Sequence, residues 1–154
     1  MIRRPPIAAL VFGLLLAGMG AGQLASFGAF RRALSEYGIF GDSEWAAGFV
    51  ITVELAASLG LFASASAPRW IARAGGVAGL AAAAFWGVLA AQAFVRGLEV
   101  GNCGCFGAYL AQPLRWWVLL EDAYMLVLAW YAGAAAGLPL PTASLRLRRT
   151  QEAT

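Results

Sequence analysis

The two cysteines of this chain, Cys103 and Cys105, stand one residue apart in the segment GNCGCFG at 101–107, and the sequence has no other cysteine and no histidine. A disulfide needs its two Cα atoms within about 6.8 Å, so an i, i+2 pair can close when the backbone bends. Gly104 permits that bend because it has no Cβ. So small a ring adds little stability, and strained disulfides are easily reduced. The spacing therefore favours a redox-active pair over a structural staple.

Two other uses of the pair stay open on the residues alone. A bridge between the cysteines would also simply shape the loop. A metal site is the weaker alternative, because two thiolates fill only half of a tetrahedral shell and no histidine completes it. Arg96 and Arg115 flank the loop, where they would either favour a thiolate or extend to a membrane surface.

The composition indicates that lipid surrounds the segments that position these cysteines. Hydrophobic residues make up 61% of the 154 residues and charged residues only 12%, whereas soluble domains carry about 25% charged residues. The formal net charge is only +3, and the arginines stand mostly at the ends of apolar segments. A nucleic-acid-binding protein would need a continuous basic face instead, so no nucleic-acid partner is expected.

Four segments meet the requirement of about 20 mainly apolar residues for a membrane span. They predict an all-α, integral membrane four-helix bundle formed by residues 1–140, with spans at about 7–28, 45–64, 74–95 and 116–136 and a short basic tail at 141–154. The first segment also resembles a signal peptide, but its long charge-free run and the three spans after it favour retention as a helix. The glycines and alanines of the third span predict close helix packing.

The arginines predict the orientation, since basic residues concentrate on the cytoplasmic side. With both termini in the cytoplasm, seven arginines lie inside and four outside. Those inside are Arg3, Arg4, Arg69, Arg73, Arg146, Arg148 and Arg149, and those outside are Arg31, Arg32, Arg96 and Arg115. The cysteine loop then lies on the outer face, which in a bacterium is oxidising, so that a disulfide persists there.

Three acidic residues fall within the predicted spans: Glu54, Glu121 and Asp122. By helix rise they share a depth of roughly 12–14 Å below the outer surface, where acidic side chains normally face the bundle interior. One interpretation is a proton path or polar pocket under the cysteine loop. The other is a neutral Glu54 that hydrogen-bonds Gln92 or Gln23. Because neighbouring helical residues point about 100° apart, Glu121 and Asp122 cannot both face Glu54.

The run Cys103-Gly104-Cys105-Phe106-Gly107, placed after the third of four membrane helices, resembles the MauE family of methylamine-utilisation proteins. The resemblance covers residues 1–140 and includes the amphipathic stretch FRRALSEYGIF and the glutamate in ITVELAASLGLF. The helix arrangement is also similar to DoxX-like membrane proteins. The resemblance implies a bacterial inner-membrane protein needed for active methylamine dehydrogenase, whose small subunit is rich in disulfides. It also implies a thioredoxin-like, MauD-type partner on the outer face.

One difference from the family concerns the fourth helix, where an arginine followed by Asp or Asn is expected and this chain has Glu121-Asp122. The cationic partner that the family pattern implies for Glu54 is therefore missing at this position. The predicted function is a multi-pass maturation factor that handles thiol–disulfide exchange. The alternatives are a quinone-linked thiol oxidoreductase, which in DsbB and VKOR proteins uses two cysteine pairs where this chain has one, and a structural membrane subunit.

Overall fold

The computed structural model describes residues 7–139, and all regular structure within that range is helical. The helices are α1 (Ile7–Ala25), α2 (Phe27–Glu36), α3 (Glu44–Phe62), α4 (Arg69–Val95) and α5 (Trp116–Ala135), with a 3-10 turn at Ala63–Ala65. The predicted basic tail at 141–154 lies outside the described residues.

Four of these helices, α1, α3 with its 3-10 turn, α4 and α5, are long and apolar enough to cross a membrane. The prediction of an all-α protein with four membrane helices is therefore confirmed, and the chain is a multi-pass membrane protein. The side of the membrane on which each terminus lies stays a prediction.

The four long helices form a bundle in which α1 and α4 each pack against both α3 and α5. Its core contains Phe12 and Leu16 of α1, Leu61 of α3 and Trp86 of α4. Outward-facing side chains such as Val88 and Tyr131 are apolar and exposed. That distribution matches a protein surrounded by lipid tails, which are as apolar as leucine.

Small residues bring α3 and α4 into direct backbone contact, as the composition of the third span predicts. A Cβ added to Gly60 would lie 2.7 Å from the Cα of Gly75. A Cβ added to Gly79 would lie 2.8 Å from a ring carbon of Phe12 on α1. Larger side chains would push these helices apart, so the glycines set the distances between the helices.

The amphipathic stretch after the first span forms the separate helix α2. Its buried face consists of Phe30, Ala33 and Leu34. The helical conformation is interrupted between α1 and α2 because Ser26 has non-helical φ and ψ angles of −124° and 41°. The Ser26 hydroxyl donates a hydrogen bond back to the carbonyl oxygen of Gly22 at 2.7 Å. This break turns α2 over the end of the bundle.

Candidate functional site

The connection between α4 and α5 folds back on itself and places the cysteines near its middle. The N–H of Cys103 donates to the carbonyl oxygen of Gln112 at 2.8 Å, and the N–H of Leu114 donates to that of Val100 at 2.9 Å. These two bonds hold the arms of the connection side by side. We call residues 100–114 the cysteine loop.

Asn102 fixes the turn that carries the two cysteines. Its Oδ1 accepts a hydrogen bond from the N–H of Gly104 at 3.0 Å, and its Nδ2 donates to the carbonyl oxygen of Gly107 at 2.9 Å. Gly104 and Gly107 have φ angles of +81° and +64°, a left-handed conformation that glycine adopts without strain. The turn geometry therefore accounts for both glycines of the CGCFG run.

The cysteine loop rests directly on the C-terminal part of α1. A Cβ on Gly22 would lie 2.7 Å from the carbonyl oxygen of Phe106, and a Cβ on Gly107 would lie 2.1 Å from the hydroxyl of Ser26. That hydroxyl accepts a hydrogen bond from the N–H of Ala108 at 2.9 Å. Phe106 itself is partly buried and packs against the core, so it anchors the loop to the bundle.

Helix α2 covers the cysteine loop from the other side. The hydroxyl of Tyr37, at the end of α2, donates to the carbonyl oxygen of Cys103 at 2.9 Å, and Glu36 accepts from the N–H of Gly101 at 2.8 Å. Burial raises the pKa of Tyr37, which keeps the hydroxyl protonated and able to donate. Gly104 packs against the side chains of Phe30 and Ala33.

The two cysteines are free thiols in unlike surroundings. Cys103 is 1% exposed, whereas Cys105 is partly exposed. A hydrogen bond from the Cys105 thiol lowers the pKa of Cys103 to about 7, although burial acts in the opposite direction, and the Gln112 side chain also bonds this sulfur. The same thiol–thiol bond, followed by burial, raises the pKa of Cys105. Cys103 is thus the more easily ionised sulfur and Cys105 the more accessible one.

The two arginines that flank the cysteine loop contact other side chains, and not the cysteines. Arg96 donates to the Oε1 of Gln92 at 2.9 Å, and the guanidinium of Arg115 lies 5.5 Å from the centre of the Trp117 ring. The lowered pKa of Cys103 comes from hydrogen bonds, as described above.

Titration of the reduced protein tests this hydrogen bond. We expect the thiolate absorbance to rise with a midpoint near pH 7, the value for Cys103. The variant Cys105→Ala removes the donor, so the Cys103 midpoint should move upward, toward the ordinary cysteine value of about 8.5. Cys103→Ala is the control and should show no titration near neutral pH. Coincident curves for the wild type and Cys105→Ala would contradict the assignment.

Glu54 lies at the centre of the bundle and is fully buried. Its Oε1 accepts hydrogen bonds from the indole N–H of Trp86 at 2.6 Å and from the Nε2 of Gln23 at 3.4 Å. Its Oε2 has no hydrogen-bond partner among the described residues. Gln23 also donates to the carbonyl oxygen of Cys105 at 3.0 Å, so it links Glu54 to the cysteine loop.

Of the two glutamines considered as partners for Glu54, Gln23 is therefore the one that bonds it. Gln92 instead donates to the carbonyl oxygen of Tyr37 at 3.3 Å.

Glu121 and Asp122 point in different directions, as helical geometry requires. Glu121 is exposed and accepts a hydrogen bond from the Nε2 of Gln112 at 2.7 Å. Asp122 is 5% exposed. Both side chains line a cavity of about 550 Å³ together with Cys105. Glu54 lines a different cavity, of about 150 Å³, between α3 and α4.

The structure therefore brings Cys105 and the two acids of α5 to one cavity, which we call the thiol cavity. Within residues 7–139, the hydrogen-bonded link from Glu54 to the cysteine loop runs through Gln23. The buried acid that shares a cavity with Cys105 is thus Asp122, whereas Glu54 lines a different cavity.

Sequence reasoning missed four residues that build the site: Tyr37, Trp86, Asn102 and Gln112. Asn102 immediately precedes the first cysteine, and asparagine commonly bonds the backbone of a following turn, so its role had a local signal. Tyr37, Trp86 and Gln112 act through contacts between residues distant in sequence, which no local pattern indicates.

Comparison with known proteins identifies a family. A family model described as "Methylamine utilisation protein MauE" matches residues 5–136. No curated protein and no solved structure matches the chain.

Proposed function

The chain belongs to the MauE family, and we propose that it is an accessory membrane protein of methylamine utilisation whose Cys103–Cys105 pair exchanges a disulfide with a thioredoxin-like protein. That partner acts in turn on a disulfide-rich client such as the small subunit of methylamine dehydrogenase. Family membership supports the pathway, and the cysteine loop supports the chemistry.

The observation that carries the proposal is the inequality of the two sulfurs. Cys105 is partly exposed and Cys103 is buried, and the pKa of Cys103 is lowered to about 7 by the Cys105 thiol. Thiol–disulfide exchange is fastest when the departing thiol has a low pKa. A pair with one reachable sulfur and one stabilised leaving group is suited to such exchange.

The transfer step follows from this asymmetry. A thiolate of the reduced partner attacks the sulfur of Cys105 in the Cys103–Cys105 disulfide. The bond between the two cysteines breaks, and Cys103 leaves as a thiolate. The second thiolate of the partner then attacks the partner sulfur of the mixed disulfide and releases Cys105. The partner loses two electrons and two protons, and the cysteine pair gains them.

The loop must face the compartment that holds the partner. The arginine distribution favours a bacterial inner membrane with both termini in the cytoplasm and the cysteine loop outside. On intact spheroplasts, a membrane-impermeant maleimide applied after reduction should label Cys105 strongly and the buried Cys103 weakly. Labelling that appears only after the membrane is opened would overturn this orientation.

A direct exchange assay tests the chemistry. Purified protein with an oxidised pair is mixed with a reduced thioredoxin-like protein of the MauD type, and free thiols are counted by the mass added on alkylation. We expect the pair to change from no free thiols to two while the partner loses two. Cys103→Ser/Cys105→Ser is the control and should leave the partner reduced. If the wild type leaves it reduced as well, the pair only shapes the loop.

A further inference from the structure

The thiol cavity contains the elements of a second reaction at Cys105. Its volume of about 550 Å³ lies within the range of roughly 300–1,000 Å³ that is usual for small-molecule sites. Leu15 and Met19 of α1 and Met125 of α5 give it apolar walls, and Phe106 and Tyr124 add aromatic rings. Cys105 is the redox-capable group in its lining.

Asp122 is the feature that a purely structural cavity does not explain. Its side chain is 5% exposed and lines the cavity, yet no hydrogen bond or ion pair joins it to another described residue. Buried polar groups are nearly always paired, so a carboxyl group left without a protein partner beside a cavity indicates a ligand with a polar edge. A lipid acyl chain has no such edge.

The cavity also has an apolar mouth. Leu110 of the cysteine loop and Leu120 and Tyr124 of α5 contribute to its lining and are mostly exposed. They lie on the outward side of a bundle that is surrounded by lipid. A ligand that dissolves in the bilayer can therefore enter past them, and it meets Cys105 and Asp122 inside.

We propose that the thiol cavity binds the ring of a membrane quinone, which accepts the electrons of the Cys103–Cys105 pair. A quinone is soluble in lipid, its flat ring matches apolar and aromatic walls, and its carbonyl oxygens provide the polar edge that faces Asp122. This inference rests on the proposed exchange function, and it adds the electron acceptor and the direction of electron flow.

The reaction balances without a further oxidant. The Cys105 thiolate adds to a ring carbon of the quinone, and the Cys103 thiolate then attacks the Cys105 sulfur. The sulfur–sulfur bond forms, the sulfur–carbon bond breaks, and its electron pair stays on the ring. The two thiols lose two electrons and two protons, and the quinone takes up both to become a hydroquinone. Asp122 lines the same cavity and is placed to transfer one of those protons from the thiols to the quinone.

The regenerated disulfide is then available to the thioredoxin-like protein. In this direction the protein is an oxidant: electrons flow from the partner's dithiol through Cys105 to the quinone.

Binding is tested apart from chemistry in the variant Cys103→Ser/Cys105→Ser. A photoreactive azidoquinone should label the first half of α5 in this purified variant, and an excess of decylubiquinone should remove the label. Adding Leu120→Trp, which fills the mouth, should reduce labelling at least severalfold. Val127→Trp is a matched control, since Val127 is also exposed on α5 but does not line the cavity. Equal competition by phospholipid, or labelling unchanged by Leu120→Trp, would overturn the site.

Electron transfer is tested in a single turnover that needs no partner protein. Reduced wild-type protein is mixed with one equivalent of decylubiquinone without oxygen, and both free thiols and hydroquinone are measured. We expect both thiols to disappear as one hydroquinone forms. Asp122→Asn keeps the side-chain shape and should slow this step by roughly a hundredfold, as expected for loss of a proton-transferring group.

Thiols that persist beside a bound quinone would overturn the proposed electron transfer. The exchange assay with the thioredoxin-like protein starts from a pair oxidised beforehand. Exchange can therefore succeed where quinone reduction fails, and the two outcomes remain distinguishable.

Discussion

Cells that carry Cys103→Ser accumulate a covalent complex between this protein and its thioredoxin-like partner, whereas cells that carry Cys105→Ser do not. This is the result we expect, because Cys105 is the accessible sulfur and Cys103 is 1% exposed. In this variant Cys105 attacks the disulfide of the oxidised partner, the reverse of the transfer step, and no Cys103 thiolate is present to displace the partner from the mixed disulfide, which then reverts only through the partner's second thiolate. The complex is measured on non-reducing gels of membranes, and the partner is identified by mass spectrometry. A reducing agent should cleave the mixed disulfide and separate the two proteins.

The double variant Cys103→Ser/Cys105→Ser is the control for this trap. It should insert at the wild-type level because a ring of this size contributes little stability, and Asn102, Tyr37 and Gln23 bond only backbone atoms of the cysteine loop. Maturation of the client should nevertheless fall to the level of a deletion strain. Full complementation by the double variant, or equal trapping by both single variants, would contradict the assigned roles.

The membrane fold was predictable because its main determinant is local. A charge-free run of about 20 residues has few alternatives to a helix in lipid, where every backbone group must be bonded within the helix. This argument from charge-free length does not apply to α2, because only one side of that helix is apolar. Its helix bounds and its position over the cysteine loop depend on the break at Ser26 and on the bonds of Tyr37 and Glu36 to the loop.

The candidate site was predictable in its elements and not in its arrangement. The i, i+2 spacing of the cysteines predicts a redox pair, which stays a prediction, and the left-handed φ angle of Gly104 agrees with the bend that it was expected to permit. The inequality of the two sulfurs depends on the hydrogen bond between the two thiols, on burial and on Gln112, seven positions further along the chain than Cys105. A sequence pattern reports none of these.

The acids illustrate the same limit. Helix rise placed Glu54 and Asp122 at a similar depth, but depth does not tell which helix faces which. The bundle order places α1 between α3 and α5, so Gln23 of α1 is the residue that reaches Glu54, while Asp122 lines the thiol cavity. Glu54 and Asp122, which one of the two interpretations placed in a shared polar pocket, therefore line different cavities with different neighbours.

Glu54→Gln should fold and insert like the wild type, whereas Glu54→Leu should lose most of its folded protein. In the structure only Oε1 of Glu54 accepts hydrogen bonds, from Trp86 and Gln23. Glutamine keeps that acceptor and places its amide nitrogen where the unpartnered Oε2 lies. Leucine leaves the buried indole N–H of Trp86 without an acceptor, at a cost of about 1–3 kcal/mol, and it removes one of the two hydrogen bonds that the Gln23 amide donates. Thermal unfolding in detergent, followed by size-exclusion chromatography, measures the difference.

This prediction depends on Glu54 being neutral in the resting protein. An ionised carboxylate at this depth is costly unless it is paired, and no salt bridge reaches Glu54 among residues 7–139. Trp86→Phe provides a second measurement, because it removes the shorter of the two hydrogen bonds. A neutral acid should tolerate that loss with a small decrease in stability, while a buried carboxylate should not. Severe loss of folded protein in both Glu54→Gln and Trp86→Phe would show that the charged form holds the bundle together.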